Sequence, residues 1–195
     1  LHDQTKLRDP VTNRAVSIGL VRFANIEPML KVARRLIALS VRQGTVLHLC
    51  IYHSQFPQLI RAKIERAMDS LLSRHDAKAI WRHKLVAQAI NAAHPNPVDD
   101  ADDRKVEHDH VFVVFGTAVT EVGRDHDYDW AIVEPSSMRS IIQLAGRVQR
   151  HREQTVSKGF ENIVLLANNI KALEAVQSKN VNNESKLAFT HPGFE

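Results

Sequence analysis

Gln143, Arg147 and Arg150 have the types and spacing to handle a phosphate. At about 100° per residue they fall within a narrow arc of a helix, while Ile141, Leu144, Ala145 and Val148 fall opposite. Two guanidinium groups on one face make a cationic fork that fits a nucleotide γ-phosphate. Guanidinium stays charged, and its planar donors meet phosphate oxygens in pairs, stabilising the charge that develops in phosphoryl transfer. Gly146 removes side-chain bulk where a backbone or a phosphate approaches. The same pattern also describes a solvated basic helix face, which Arg152 extends.

A second group of chemically capable residues lies upstream, at Gly116-Thr117, Gly123 and Asp125. Val111-Phe-Val-Val-Phe115 is an apolar, β-branched and aromatic run that reads as a buried strand entering Gly116-Thr117. After a compact turn, Trp130-Ala-Ile-Val133 reads as the neighbouring strand, and Pro135-Ser136-Ser137 as a break and cap before the arginine helix. In open α/β sheets ligands bind outside the carboxyl ends of strands. Thr117, Gly123 and Asp125 are expected there, where phosphates and riboses are met. The plainer reading makes Asp125 an ordinary turn carboxylate and Thr117 a hydroxyl serving local backbone.

These residues need a frame, and the first third of the chain predicts one. Arg14 to Phe23 reads as a buried strand, and Ile26 to Arg42 as a helix stopped by Gly44. Val46 to Ile51 reads as a second strand, and Pro57 opens another helix running to about His75. Such β-α-β-α alternation predicts the α/β class, an open parallel sheet with helices on both faces. Arg22, His53 and Ser54 then sit at strand ends on the presumed ligand edge, where arginines and hydroxyls can position a phosphate backbone without reading sequence. Against this, a lone arginine is usually solvated, and His53 beside Tyr52 also fits a hydrogen-bonded loop residue.

The rest of the chain bounds the answer. With 195 residues and 44% hydrophobic content, the simplest count is a single domain over 1–178 followed by an irregular tail over 179–195. Residues of about 76–109 read as an insertion. It comprises an amphipathic helix from Asp76 to Ala93, whose Trp81 packs on its own domain, and an exposed linker with acidic residues Asp99, Asp100, Asp102 and Asp103. Asn162 to Ala167 reads as a last strand, before a short helix from Asn168 to Gln177 capped near Asn168 or Asn169. Twenty-six basic residues against 22 acidic give a net charge of +4, compatible with nucleic acid but short of a strongly basic footprint. The single cysteine, Cys50, falls in a predicted strand and fits a reducing compartment. The absence of any long apolar run or signal-peptide pattern leads to the expectation of a cytoplasmic protein. Leu1 in place of Met leads to the expectation of a longer parent polypeptide.

Residues 116–125 resemble motif V of superfamily 2 helicases, and 143–150 resemble motif VI. The extended run from Val114 to Pro135 most resembles the CRISPR-associated helicase-nuclease of type I interference systems, the type I-F form above all. The resemblance implies the second RecA-like domain of such a motor, acting in antiviral defence. It implies that Arg147 and Arg150 reach the γ-phosphate of ATP held with Mg²⁺ on a preceding RecA-like domain, and that Gln143 helps position the cleft. Gly123 and Asp125 would lie near the ribose and the domain interface. Thr117 would contact single-stranded DNA, on a track that the neighbourhood of Arg22, His53 and Ser54 continues. The implied partners are single-stranded DNA, the first RecA-like domain, a metal-dependent nuclease domain of the same parent, and an RNA-guided surveillance complex. Two departures bear on subfamily and DNA path: Leu144 stands where many relatives carry arginine, and Arg124 where an apolar residue is common.

Other readings remain open. The pairs His2-Asp3, His75-Asp76, His108-Asp109 and His126-Asp127 invite a nuclease reading, but they fall in unrelated elements with no shared helical framework, so no metal site is assigned. These 195 residues contain no Gly-x-x-x-x-Gly-Lys-Ser/Thr loop and no acidic box for ATP. A RecA-like module that binds nucleic acid or a partner without turnover is therefore the alternative, as is another superfamily 2 DNA or RNA helicase.

Overall fold

The apolar runs assemble into one six-stranded sheet in the computed structural model of the chain, which describes residues 1–9, 12–39, 41–76, 79–93, 109–121, 124–151 and 161–177. In chain order the elements are α1 (His2–Thr5), β1 (Leu7–Arg8), β2 (Ala15–Arg22), α2 (Ile26–Ala38), β3 (Thr45–Tyr52), α3 (Gln58–Leu72), α4 (Ala79–Arg82) and α5 (Lys84–Ala93). They continue with β4 (Asp109–Gly116), a 3₁₀ turn (Ala118–Thr120), β5 (Trp130–Val133), α6 (Met138–Ala145), β6 (Ile163–Leu165) and α7 (Ile170–Gln177). The strand order is β3-β4-β2-β5-β6 with every neighbour parallel, and β1 adds an antiparallel pairing to the start of β2.

Period-two alternation sorts the side chains to two faces. Val16, Ile18, Leu20, Val114, Ala131 and Val133 meet Met68 and Leu72 of α3, Ile80 of α4, Val86 and Ile90 of α5, and Leu144 of α6. On the opposite face Val113, Phe115 and Trp130 meet Met29 and Ala33 of α2, with Ile170 of α7 packed alongside. Gly19 lies under the Trp130 ring, and a Cβ there would come within 2.2 Å of it. An α/β parallel sheet with helices on both faces is thus observed.

Several expectations are corrected. β5 does not neighbour β4; it pairs with the opposite edge of β2, so β2 separates the two strands that carry the presumed ligand loop. The helix expected over 76–93 is two, α4 and α5, divided at His83, and both pack into the core. Trp81 lies partly buried against that same core. Helix α2 stops at Ala38 rather than Arg42. The short α1 and β1 were not anticipated. The acidic linker within 94–108, Arg152, Gly123 and the tail over 179–195 lie outside the described residues. Among the described residues no helix is long and apolar enough to cross a membrane.

Candidate functional site

Parallel register sets one row of residues at the carboxyl edge. Tyr52 of β3 aligns with Gly116 of β4, Gly116 with Arg22 of β2, and Arg22 with Val133 of β5. The next residues out are His53, Thr117, Phe23 and Glu134, so the sheet brings Thr117, His53 and Ser54 to a common edge. Ser54 is exposed; Thr117 and His53 are buried, His53 stacking on Phe56 at a ring separation of 4.3 Å.

Arg22 belongs to this row but does not face outward, which corrects its expected place on an open DNA track. Its guanidinium is 3% exposed and donates from Nε to Glu121 Oε1 at 2.6 Å, from Nη1 to the Glu134 carbonyl and from Nη2 to Ser140 Oγ. Ser140 Oγ in turn donates to the other Glu121 oxygen at 2.7 Å. A buried guanidinium needs a counter-charge and acceptors, and Glu121 supplies both.

A parallel connection must also return to the start of the next strand. The described residues 124–129 accordingly lie back from the carboxyl edge, on the face covered by α3 and α6. The Asp129 amide donates to the Ile18 carbonyl, and the Asp127 amide to the Leu72 carbonyl at the end of α3. Asp125 is carried away from the edge that holds Thr117, contrary to expectation. Arg124 fastens this loop to α3 through Glu65 and Asp69. A sequence departure from the helicase pattern thus acts as a clamp.

The arginine helix is shorter than its periodicity predicts. Ser137 caps α6 by accepting from the Ser140 amide at 3.2 Å, as expected, but α6 ends at Ala145 with Gly146 as its cap. Beyond it the chain opens into a bridge between Tyr128 and Val148, with the Tyr128 amide donating to Arg147 O and the Gln149 amide to Tyr128 O. Gln149 takes a left-handed conformation, φ 51°, rarely adopted by a residue with a side chain. Arg147 and Arg150 are therefore positioned by this bridge, not by a helical face. Gln143 stays on α6 and is exposed.

Their surroundings differ sharply. Arg147 directs Nε and Nη2 to the backbone carbonyl of Glu121 at 3.1 and 2.7 Å, while its Nη1 is buried without a hydrogen-bond partner. Burial and then the neighbouring Arg150 charge lower its pKa below the ordinary arginine value. Its guanidinium bonds a backbone carbonyl and makes no close ion pair with a carboxylate among the described residues. Arg150 is half exposed and reaches Asp125 Oδ1 at 3.3 Å, with its amide held by the buried Asp127 carboxylate. The same Asp125 oxygen lies 3.0 Å from His151 Nε2, and this hydrogen bond, ahead of the Arg150 charge, lowers the Asp125 pKa.

Sequence reasoning missed Glu121, Asp127, Asp129 and Glu134, all buried at the heart of the site. Asp129 pairs with the buried Arg74 at 2.8 Å; Glu134 accepts from the Ala24 and Ile170 amides. The signal for Asp127 and Asp129 was available, because carboxylates alternating with Tyr128 and Trp130 beside a buried strand must find partners.

Buried histidines give this region a pH dependence. His126, 1% exposed, bonds Asp69 at 2.9 Å, yet burial outweighs that carboxylate and, with Arg147 and Arg124 adding to it, lowers the pKa. Below about 6.5 the unfolded chain takes up a proton that folded His126 resists, so stability is full above that pH and falls as pH drops. Urea midpoints compared at about pH 7.5 and about pH 5.5 should fall less in His126→Gln than in the parent sequence. Equal falls would remove His126 as a source.

Residues 15–153, more than half of the chain, match the family described as CRISPR-associated nuclease/helicase Cas3, C-terminal. The chain is 47% identical over 184 residues to the CRISPR-associated nuclease/helicase Cas3 subtype I-F/YPEST of Pectobacterium atrosepticum, and equally to that of Pseudomonas aeruginosa. The match covers 93% of this chain and 15% of each relative, so the chain spans a small part of their length. It is similar in fold to T. fusca Cas3 solved with ATP, with a TM-score of 0.52 at 16% identity over 78% of this chain and 15% of that one. The T. fusca Cas3 structure with AMPPNP is similar at a TM-score of 0.50, again 16% identical, covering 78% and 14%.

Proposed function

This chain belongs to the family of the C-terminal part of the CRISPR-associated nuclease/helicase Cas3, and from that premise we propose that it is the second RecA-like motor domain of an ATP-dependent single-stranded DNA translocase. In this reading the parent protein combines helicase and nuclease activity and acts with an RNA-guided surveillance complex in interference against foreign DNA. The observation that carries the reading is Arg147, whose buried Nη1 lacks a partner and whose charge lacks a paired carboxylate among the described residues.

ATP with Mg²⁺, held on a first RecA-like domain of the parent, supplies the phosphoryl group; the nuclease metal belongs to another domain. Arg147 and Arg150 offer the donors that meet it, and Gln143, exposed on α6, is assigned to help set the cleft. Arg150 leaves Asp125 readily, because an exposed ion pair contributes only about 0–1 kcal/mol. Arg147 is anchored on the Glu121 carbonyl through Nε and Nη2, and its buried Nη1 is the donor left for an anion once the cleft is assembled. Gly123 and Asp125 are assigned to the ribose side of the interface. Thr117 with His53 and Ser54 is assigned to the DNA backbone, while Arg22 supports that edge from within.

The second reading, a binding module without turnover, draws on both fingers being engaged by this chain's own groups, Glu121 and Asp125. Measured ATP hydrolysis separates the two. The purified 195 residues should show no turnover alone, whereas the parent protein should hydrolyse ATP on addition of single-stranded DNA. Substantial turnover by the 195 residues would refute the half-motor assignment, and a parent inert with DNA would favour the module.

A further inference from the structure

Three potential metal ligands from distant parts of the chain converge, and only one of them, His75, belongs to an adjacent His-Asp pair. His75 follows α3, Asp125 lies in the loop before β5, and His151 follows the Tyr128–Val148 bridge. His151 Nε2 is 3.0 Å from Asp125 Oδ1, His75 Nε2 is 3.9 Å from Asp125 Oδ2, and one ligand atom from each residue lies within 4.8 Å of the others. Zinc bonds of about 2.0–2.2 Å to nitrogen and oxygen place tetrahedral ligands roughly 3.3 Å apart, so small side-chain rotations close the set.

We propose that His75, Asp125 and His151 form a binding site for a borderline transition-metal dication of the zinc class. Two imidazoles and one carboxylate select such an ion over magnesium or calcium, which prefer all-oxygen shells. The support behind the ligands is built into the fold: the buried Asp127 carboxylate accepts from the amides of both Arg150 and His151 and fixes the segment that presents the second imidazole. Such outer contacts orient metal ligands. The outer face is open, His75 and Asp125 being more than half exposed, which leaves a coordination position for water.

A second cluster, His2, Asp3 and Asp109, is of similar size but already holds a cation, since Lys6 Nζ lies 3.0 Å from Asp3 and 2.7 Å from Asp109. At Asp125 the competing cation is Arg150, which is half exposed and weakly held. A bound dication displaces it and ties together the end of α3, the loop before β5 and the segment after α6. Occupancy therefore governs whether Arg150 is latched or free, without depending on the motor reading.

The test needs neither nucleotide nor DNA. Zn²⁺ titrated into the metal-stripped 195-residue chain should bind one ion per chain. Affinity should drop in His75→Ala and His151→Ala by at least the roughly 10- to 100-fold that loss of an outer contact costs. His2→Ala should leave it unchanged, and circular dichroism should show all three variants folded. Cobalt substituted for zinc should give visible absorption bands that His151→Ala abolishes. No zinc uptake, or equal affinity in the His75 and His151 variants, would overturn the site.

Discussion

Replacing Arg147 with alanine in the parent protein is expected to lower DNA-stimulated ATP turnover by about 10³- to 10⁵-fold, with only a modest loss of DNA affinity. The size follows from the role of an arginine finger, whose charge counts most in the transition state. The selectivity follows from the contacts: Arg147 bonds the Glu121 carbonyl beyond α6, and the DNA backbone is assigned to Thr117, His53 and Ser54 instead. Lysine should not rescue, because two guanidinium nitrogens share one carbonyl while a third is left to donate, and an ammonium cannot reproduce that planar fork. Turnover near that of the parent sequence in Arg147→Ala would sink the assignment; so would a loss of DNA binding equal to the loss of turnover.

Glu121→Ala is expected to destabilise the fold by about 3–5 kcal/mol, the cost of stripping one partner from a buried ion pair. Arg22 and Glu121 are 3% and 4% exposed as side chains, and the lost carboxylate also served Ser140. Urea unfolding of the 195 residues measures this directly, since a slope of about 1–3 kcal/mol/M turns such a loss into a shift of the midpoint by a molar or more. Replacing both partners, Arg22→Met with Glu121→Leu, should recover most of the loss, because no charge is then buried alone. A cost below about 1 kcal/mol for Glu121→Ala would mean that water reaches Arg22 and the internal network is not as described. The Glu121 backbone carbonyl also anchors Arg147, so one residue links the carboxyl edge to the arginine segment.

Much of the fold was legible because apolar period and punctuation are local. Arg14 to Phe23 read as a strand and Ala15–Arg22 is one; Trp130–Val133 matched at both ends; the cap on α6 at Ser137 was expected and found. Asn169 likewise accepts from the Lys171 amide at the start of α7. The family was legible in the run from Val114 to Pro135 and is supported by the match over residues 15–153. The site was legible as residue types more than as an arrangement. Gln143, Arg147 and Arg150 fit a helical arc on paper, but periodicity cannot foresee that Tyr128 will recruit Val148 into a bridge and end the helix at Ala145.

What the amino-acid sequence determined by itself is the main strands and helices, their alternation, and the identity of the arginines, hydroxyls and carboxylates that they carry. Propensity, caps and glycine breaks act over a few residues, and those are written in the chain. The tertiary structure alone decided that β2 lies between β4 and β5, that Arg22 turns inward to Glu121, and that Asp125 leaves the edge for the company of Arg150, His75 and His151. Each of these turns on pairing between groups distant in sequence. A buried charge takes whichever partner the packed sheet and helices bring within reach, and no local pattern records which one that will be.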